Sequence, residues 1–270
     1  MRPLRFAHIS DTHLVCAGSS EWMFQVQREV RDPRRNLERC LEQVAQWQPD
    51  VVLLTGDLVH EGQAEDYAAL RQLLDRALPG VPLACALGNH DRRGPFRQGF
   101  LGQAPEEGPY LAWQPVDGLG ILSLDTPDLH GIQGSLPPDQ LDFMEQALQT
   151  PMPRGHIVLM HHPLVAQWPW AQLETPARWK DILARSSVKG VFAGHLHSSF
   201  FALVDGVPYV NAGSLAFGID YDADSSIYTD QNTYGLGSLG PDGALGLSPV
   251  ILEPARKILK RRAWARSHNG

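Results

Sequence analysis

Thiols are scarce in this chain of 270 residues: the three cysteines, Cys16, Cys40 and Cys85, are odd in number and far apart. Their scarcity argues against a disulfide framework and against a thiolate metal site, and Cys40 and Cys85 read as small core residues. Long apolar runs are missing too, since none approaches the roughly 20 residues that a membrane-spanning helix needs. Met1-Arg2-Pro3-Leu4 leads straight into a strand pattern without a signal-peptide hydrophobic stretch, so a cytoplasmic location is expected. Positive charge is not in excess. With 23 Lys and Arg against 30 Asp and Glu, the chain carries a net −7, which speaks against an extended nucleic-acid groove. No internal repeat is found. At 43% hydrophobic residues the chain can bury a full core, and residues 1–254 are expected to form one domain, followed by a basic tail over 255–270. That tail, Arg256 to Arg266, is the one basic block; its readings are a contact with nucleic acid, an anionic membrane or an acidic partner, or else a solvated terminal helix or frayed end.

Five polar clusters carry most of the remaining information: Asp11-Thr12-His13, Gly56-Asp57, Gly88-Asn89-His90-Asp91, His161-His162-Pro163 and Gly194-His195-Leu196-His197. Carboxylates, imidazoles and one amide oxygen suit two metal ions drawn from manganese, iron, zinc or cobalt. Such a pair suits hydrolysis at phosphorus. A phosphate ester resists water until something supplies hydroxide and neutralises the phosphoryl oxygens, and two ions about 3.5–4 Å apart across a shared carboxylate do both. Asp57 is the candidate for that bridge. Two divalent ions bring about +4, and Asp11 and Asp57 together subtract about 2, which leaves a local field that favours an anionic substrate within an acidic chain.

Each cluster follows a short apolar run: Leu4 to Ile9, Val51 to Leu54, Pro82 to Leu87, Ile157 to Met160, and Val188 to Phe192. These read as buried strands with their polar groups at the carboxyl end, where open sheets hold ligands. Helical spacing marks Pro33–Trp47, with Asp32 as N-cap and Pro33 at the first position, and also Ala64–Leu78 and Pro137–Leu148. Phe200–Val204 and Pro208–Asn211, joined through Asp205-Gly206, read as a hairpin. The alternation predicts an α/β fold with mixed sheets. The segments around Gly94-Pro95, Leu101–Pro109 and Gly235–Gly246 read as long loops, residues 17–32 as a pocket edge, and Trp168-Pro169-Trp170 as either an apolar substrate wall or surface packing.

The ordered set Asp-x-His, Gly-Asp, Gly-Asn-His-Asp, His-x-Pro and Gly-His-x-His resembles the calcineurin-like metallophosphoesterase superfamily over residues 5 to about 214. The resemblance implies a four-layer αββα sandwich with two mixed β-sheets flanked by helices. It also implies that Asp11, His13, Asp57 and His197 surround one metal and that Asp57, Asn89, His161 and His195 surround the other. His161 is preferred to His162 because it is the histidine of His-x-Pro and strand side chains alternate faces. His90 would face the leaving group as general acid or hydrogen-bond donor, oriented by Asp91. His8, His60, His130, His156, His162 and His268 are read as hydrogen-bonded structural residues, with a supporting role beside the ligands left open for His162.

Within the superfamily, Gly56-Asp57-Leu58-Val59-His60-Glu61-Gly62 departs from the protein-phosphatase pattern. Ile9-Ser10-Asp11-Thr12-His13-Leu14 and Gly88-Asn89-His90-Asp91-Arg92-Arg93 are similar to the class III cyclic nucleotide phosphodiesterases and related glycerophosphodiesterases. The resemblance thus implies a dinuclear hydrolase, dependent on manganese, iron, zinc or cobalt, that cleaves a small phosphodiester, a 3′,5′-cyclic nucleotide foremost, by attack of a metal-bound hydroxide. Its rivals are a glycerophosphodiesterase or broad-specificity phosphohydrolase, a repair-type nuclease, and a non-catalytic scaffold of the same fold. A homo-oligomer stays open.

Overall fold

Strand β1 (Leu4–Ile9) displays the packing logic of the molecule in six residues. Side chains on a strand alternate faces, so Leu4 and Phe6 point into one apolar layer and Ala7 and Ile9 into another, both fully buried. In the computed structural model, which describes residues 2–128, 133–166, 172–252 and 256–263, β1 is the middle of a five-stranded mixed sheet. It runs parallel to β2 (Val51–Thr55), which runs parallel to β3 (Leu83–Ala86). On its other side β12 (Thr233–Leu239) and β13 (Leu245–Ile251) are antiparallel. The second sheet has six strands in the order β4 (Ala112–Val116), β5 (Leu119–Ser123), β6 (His156–Leu159), β7 (Val188–Ala193), β9 (Val207–Asn211), β8 (Phe200–Val204), with β5, β6, β7 and β9 parallel.

Three apolar layers stack these elements. Leu4, Phe6, Val51 and Leu53 meet Ile121, Ile157, Leu159 and Phe192 between the sheets. Outside the first sheet, α2 (Pro33–Trp47), α3 (Ala64–Ala77) and α4 (Arg93–Leu101) cover Ala7, Ile9, Val52 and Leu54. Outside the second, α5 (Pro138–Leu148) and α6 (Ala177–Ala184) cover Leu122, Val158 and Val191. Helices, sheet, sheet, helices is the expected order of layers. Asp32 caps α2 by accepting from the Arg34 N–H at 3.0 Å, and Cys40 and Cys85 are buried in the layer beneath the helices.

Three readings need correction. Gly94-Pro95 is no loop; it forms the first turn of α4, where a proline costs no helical hydrogen bond. Gly235–Gly246 is mostly strand, from β12 into β13, because its glycines leave room for neighbours: a Cβ on Gly237 would clash with the Phe6 ring and lie 2.8 Å from the Gly246 carbonyl oxygen. The basic tail is neither helix nor frayed end over Ile258–Ala263, which form β14. Together with β10 (Gly218–Tyr221) and β11 (Ser225–Thr229) this strand makes a third, antiparallel sheet beyond the two expected. Residues 17–32 contain a helix, α1 (Glu21–Glu29), capped by Ser20. Trp168-Pro169-Trp170, His130 and His268 lie outside the described residues. Among the described residues no helix is long and apolar enough to cross a membrane.

Candidate metal centre

Every expected ligand stands just beyond the carboxyl end of a strand. Asp11 and His13 follow β1, Asp57 follows β2, Asn89 follows β3, His161 follows β6, and His195 and His197 follow β7. Backbone hydrogen bonds lock the first two turns together: the Asp11 N–H donates to the Gly56 carbonyl at 3.0 Å and the His13 N–H to the Asp57 carbonyl at 2.8 Å. Gly56 has φ +95°, and a Cβ there would lie 2.6 Å from both His161 Nδ1 and the Gly88 nitrogen, so the glycine of Gly-Asp is a steric necessity. Asp11, His13, Asp57, His195 and His197 adopt left-handed backbone angles, φ 51°, 39°, 51°, 71° and 52°. Non-glycine residues rarely do so, at a cost of order 1–3 kcal/mol each, and such outliers concentrate at functional sites.

The side chains converge in two groups. Asp11, His13, Asp57 and His197, all buried, offer ligand atoms within 4.8 Å of one another, and so do His161, His162 and His195. Asp57 joins the groups. Its Oδ2 lies 3.4 Å from His13 Nε2 and 3.4 Å from His161 Nε2, while its Oδ1 accepts the His90 N–H at 2.8 Å. Asp11 is divided in the same way, with Oδ1 3.3 Å from His197 Nε2 and Oδ2 accepting the His195 N–H at 3.0 Å. Asn89 sits between Gly88 and His90, and its Oδ1 is buried without a hydrogen-bond partner.

These residues fit a cation well. His161 Nδ1 lies 2.8 Å from the Thr55 carbonyl and His197 Nδ1 lies 2.8 Å from that of Phe217. A carbonyl only accepts, so each Nδ1 carries a hydrogen and each ring turns its Nε2 inward, which is how metal-binding imidazoles are commonly oriented. His161 Nε2 is buried, makes no hydrogen bond and has Asp57 Oδ2 at 3.4 Å, and His13 Nε2 and His197 Nε2 face each other at 3.1 Å, too close for both to hold protons. Burial disfavours charge on His161, yet Asp57 lifts it to about 9; burial likewise opposes ionised Asp57, yet His161, His90 and His13 hold it well below the ordinary carboxylate range. A proton on His161 thus stands where a cation has its natural place. Burial pushes His13 and His195 well below the ordinary imidazole value, leaving them neutral donors of electron pairs.

Asp91 is not beside the His90 ring in the manner expected. Its carboxylate accepts from the backbone N–H groups of Gly88, Leu58 and Val59 and from the Tyr67 hydroxyl at 2.9 Å, and among the described residues it makes no hydrogen bond to His90. Asp91 instead ties the turn after β3 to the turn after β2. Burial, with Asp57 nearby, raises it to about 6 against those bonds. His90 is only half-buried and its ring stacks on His60 at 4.2 Å.

His60 is the histidine that spacing alone did not single out. Its Nδ1 lies 3.1 Å from His13 Nδ1 and its Nε2 3.1 Å from Ser20 Oγ, so it props the far side of an expected ligand. His162 lies beside His195 with ring centroids 4.4 Å apart and its Nδ1 3.0 Å from Thr126 Oγ1. His8 and His156 are structural as expected, each within hydrogen-bond reach of a hydroxyl, Thr55 and Ser187.

Residues 4–199 match the calcineurin-like phosphoesterase family. The chain belongs to that family. It is a metal-dependent phosphoric ester hydrolase. A probable cyclic nucleotide phosphodiesterase of Rhodococcus erythropolis is 31% identical over 261 residues, covering 92% of this chain and 80% of the relative. A cAMP/cGMP dual specificity phosphodiesterase of Mycobacterium tuberculosis is 32% identical over 255 residues, covering 92% and 75%. Among solved structures, purple acid phosphatase PPD1 from yellow lupin superposes with a TM-score of 0.68 at 15% identity, over 96% of this chain and 53% of that one, and shows the shared fold. As a calcineurin-like phosphoesterase, the chain keeps all five motif clusters on the strand ends that bring them together.

Proposed function

We propose that this calcineurin-like phosphoesterase is a dinuclear phosphodiesterase whose substrate is a 3′,5′-cyclic nucleotide. The observation that carries the dinuclear reading is the position of Asp57 Oδ2, equidistant at 3.4 Å from an imidazole of each cluster. Asp11, His13, Asp57 and His197 would hold one ion; Asp57, Asn89, His161 and His195 would hold the other, drawn from manganese, iron, zinc or cobalt. When bound, the pair supplies Lewis acidity at the phosphoryl oxygens and an activated water near neutral pH.

The remaining work belongs to side chains of this chain. Asp57 is fixed by the His90 N–H through one oxygen, which leaves the other free to serve both clusters. His90, half-exposed on its stack with His60, would give a proton to the departing alkoxide. With only two carboxylates among the proposed ligands, two divalent ions would leave a net positive field for a singly charged diester. One relative described above is named a probable cyclic nucleotide phosphodiesterase and the other a cAMP/cGMP dual specificity phosphodiesterase, and that supports the substrate class.

Purified protein assayed with phosphomonoesters, cyclic nucleotides and glycerophosphodiesters in manganese, iron and zinc, beside elemental analysis, tests the reading. Two metals per chain and a preference for 3′,5′-cyclic nucleotides are expected. One metal per chain at saturation would overturn the dinuclear assignment, and preferential turnover of monoesters or glycerophosphodiesters the substrate.

A further inference from the structure

One aromatic ring away from the imidazoles, α1, β11 and β14 border a solvent-open cavity of about 310 Å³. That is within the range of small-ligand pockets, roughly 300–1,000 Å³. Phe217 is its inner wall, with its ring 4.3 Å from that of His197 on one side and 5.9 Å from Trp22 and 6.0 Å from Tyr228 on the other. Trp22 is 43% exposed although its indole lies 6.3 Å from the His60 ring, so a large flat surface faces solvent beside the centre. The rim is polar: Glu29 comes from α1, and Lys260 and Arg262 from β14.

The cations are there by strand register. Lys260 stands opposite Tyr228 and Arg262 opposite Ser226, and residues 260 and 262 share one face of the strand. Arg261 points the other way and is paired with Asp222 at 2.9 Å. Lys260 and Arg262 form no ion pair with another described residue.

We propose that this cavity receives the purine ring of the substrate, guanine in preference to adenine, while the phosphodiester occupies the adjoining centre. The inference rests on the cyclic-nucleotide reading above. A flat heterocycle stacks on Trp22 and Tyr228 whatever its substituents, because every base has a π-face. The rim then discriminates. Lys and Arg only donate hydrogen bonds and a carboxylate only accepts. Guanine presents O6 and N7 as adjacent acceptors, and N1–H and the N2 amine as donors on the neighbouring edge, matching two cations and Glu29. Adenine puts an amine where O6 would be and a bare nitrogen where N1–H would be, so it meets a donor with a donor.

The test uses the manganese-loaded full chain. KM and kcat are measured for 3′,5′-cyclic GMP, 3′,5′-cyclic AMP and bis(4-nitrophenyl) phosphate with the wild type, Trp22→Ala, Trp22→Phe and Lys260→Gln/Arg262→Gln, and binding of 5′-GMP and 5′-AMP is followed by calorimetry. Expected are a cyclic GMP preference of about 10-fold in kcat/KM, its loss in the double variant with metal content unchanged, and a KM about 10-fold higher for both nucleotides in Trp22→Ala that Trp22→Phe largely restores. Unchanged KM values in Trp22→Ala and the double variant, with cyclic nucleotides still hydrolysed, would overturn the purine subsite and leave the phosphodiesterase reading standing. A wild type that cleaves only bis(4-nitrophenyl) phosphate, with 5′-GMP unbound, would overturn the cyclic-nucleotide reading and the subsite with it. Equal turnover of the two nucleotides in wild type and double variant would overturn the preference for guanine.

Discussion

Asp57 and His90 are neighbours in space with opposite expected losses. Asp57 Oδ2 faces both clusters, so Asp57→Ala is expected to remove both ions and at least ~10³-fold in turnover, read by elemental analysis and initial rates. His90→Ala leaves the seven proposed ligands in place and is expected to keep both ions while losing about 10²–10⁴-fold in kcat for alkyl leaving groups. Aryl leaving groups need less protonation and should lose less; equal losses would remove the acid role. A different histidine governs stability. His8 is fully buried between the sheets, within 2.9 Å of the Thr55 hydroxyl, and burial lowers it to about 3. The unfolded chain therefore binds that proton more readily than the folded one. The contribution is intact above pH 6.5 and declines as pH falls toward 3, by about 2 kcal/mol between pH 7.5 and 5. In urea unfolding of metal-free protein, the stability gap between wild type and His8→Asn should shrink by about that amount over the same interval. The motif residues were legible in the sequence because metal chemistry demands those residue types at strand ends. His60, Ser20 and Phe217 were not, because what defines them is contact across elements, such as the 3.1 Å from His60 to His13, and no spacing encodes it.

Among the elements, legibility followed periodicity. β1, β2, β7, α2 and the β8–β9 hairpin have clean apolar alternation or helical spacing and lie where the pattern puts them. The α1 and α4 helices and the strands β10 to β14 escaped notice because glycine, proline and charge interrupt their patterns while tertiary packing decides the outcome. In β12 the glycines accommodate the β1 side chains that lie opposite, Phe6 above all, and cost strand propensity to do so. Gly237→Val is accordingly expected to destabilise by about 1–3 kcal/mol despite the higher strand propensity of valine, through overpacking against Phe6 and the Gly246 carbonyl. A shift of the urea midpoint to higher concentration would show that the strand, and not the packing, sets the balance. In β14, charge concealed a strand: Lys260, Arg261 and Arg262 read as a solvated tail, but β11 supplies a hydrogen-bonding edge and Asp222 a partner for the middle cation.

At the scale of the whole molecule, the proposed centre straddles the seam between the two sheets. Asp11, His13, Asp57 and Asn89 arrive on strands of the first, while His161, His195 and His197 arrive on strands of the second. The apolar layer between the sheets holds them face to face, but at the strand ends that layer gives way to buried imidazoles, two carboxylates and the unpartnered atoms Asn89 Oδ1 and His161 Nε2. Five of the proposed ligand residues also carry left-handed backbone angles. Metal-free, this edge holds left-handed backbone angles and buried polar atoms without hydrogen bonds, so cations should tie the two sheets together there. Ions that bind only the folded chain stabilise it by about 2.7 kcal/mol at a free concentration 100 times Kd. At roughly 2–4 °C per kcal/mol for a domain near this size, manganese should raise the melting temperature by at least about 5 °C and EDTA should reverse the rise. Asp57→Ala should show no such response, whereas Trp22→Ala, whose side chain lies outside the ligand set, should respond like the wild type. A melting temperature indifferent to manganese in the wild type would mean that the seven side chains do not act together as a cation site, however closely they are drawn.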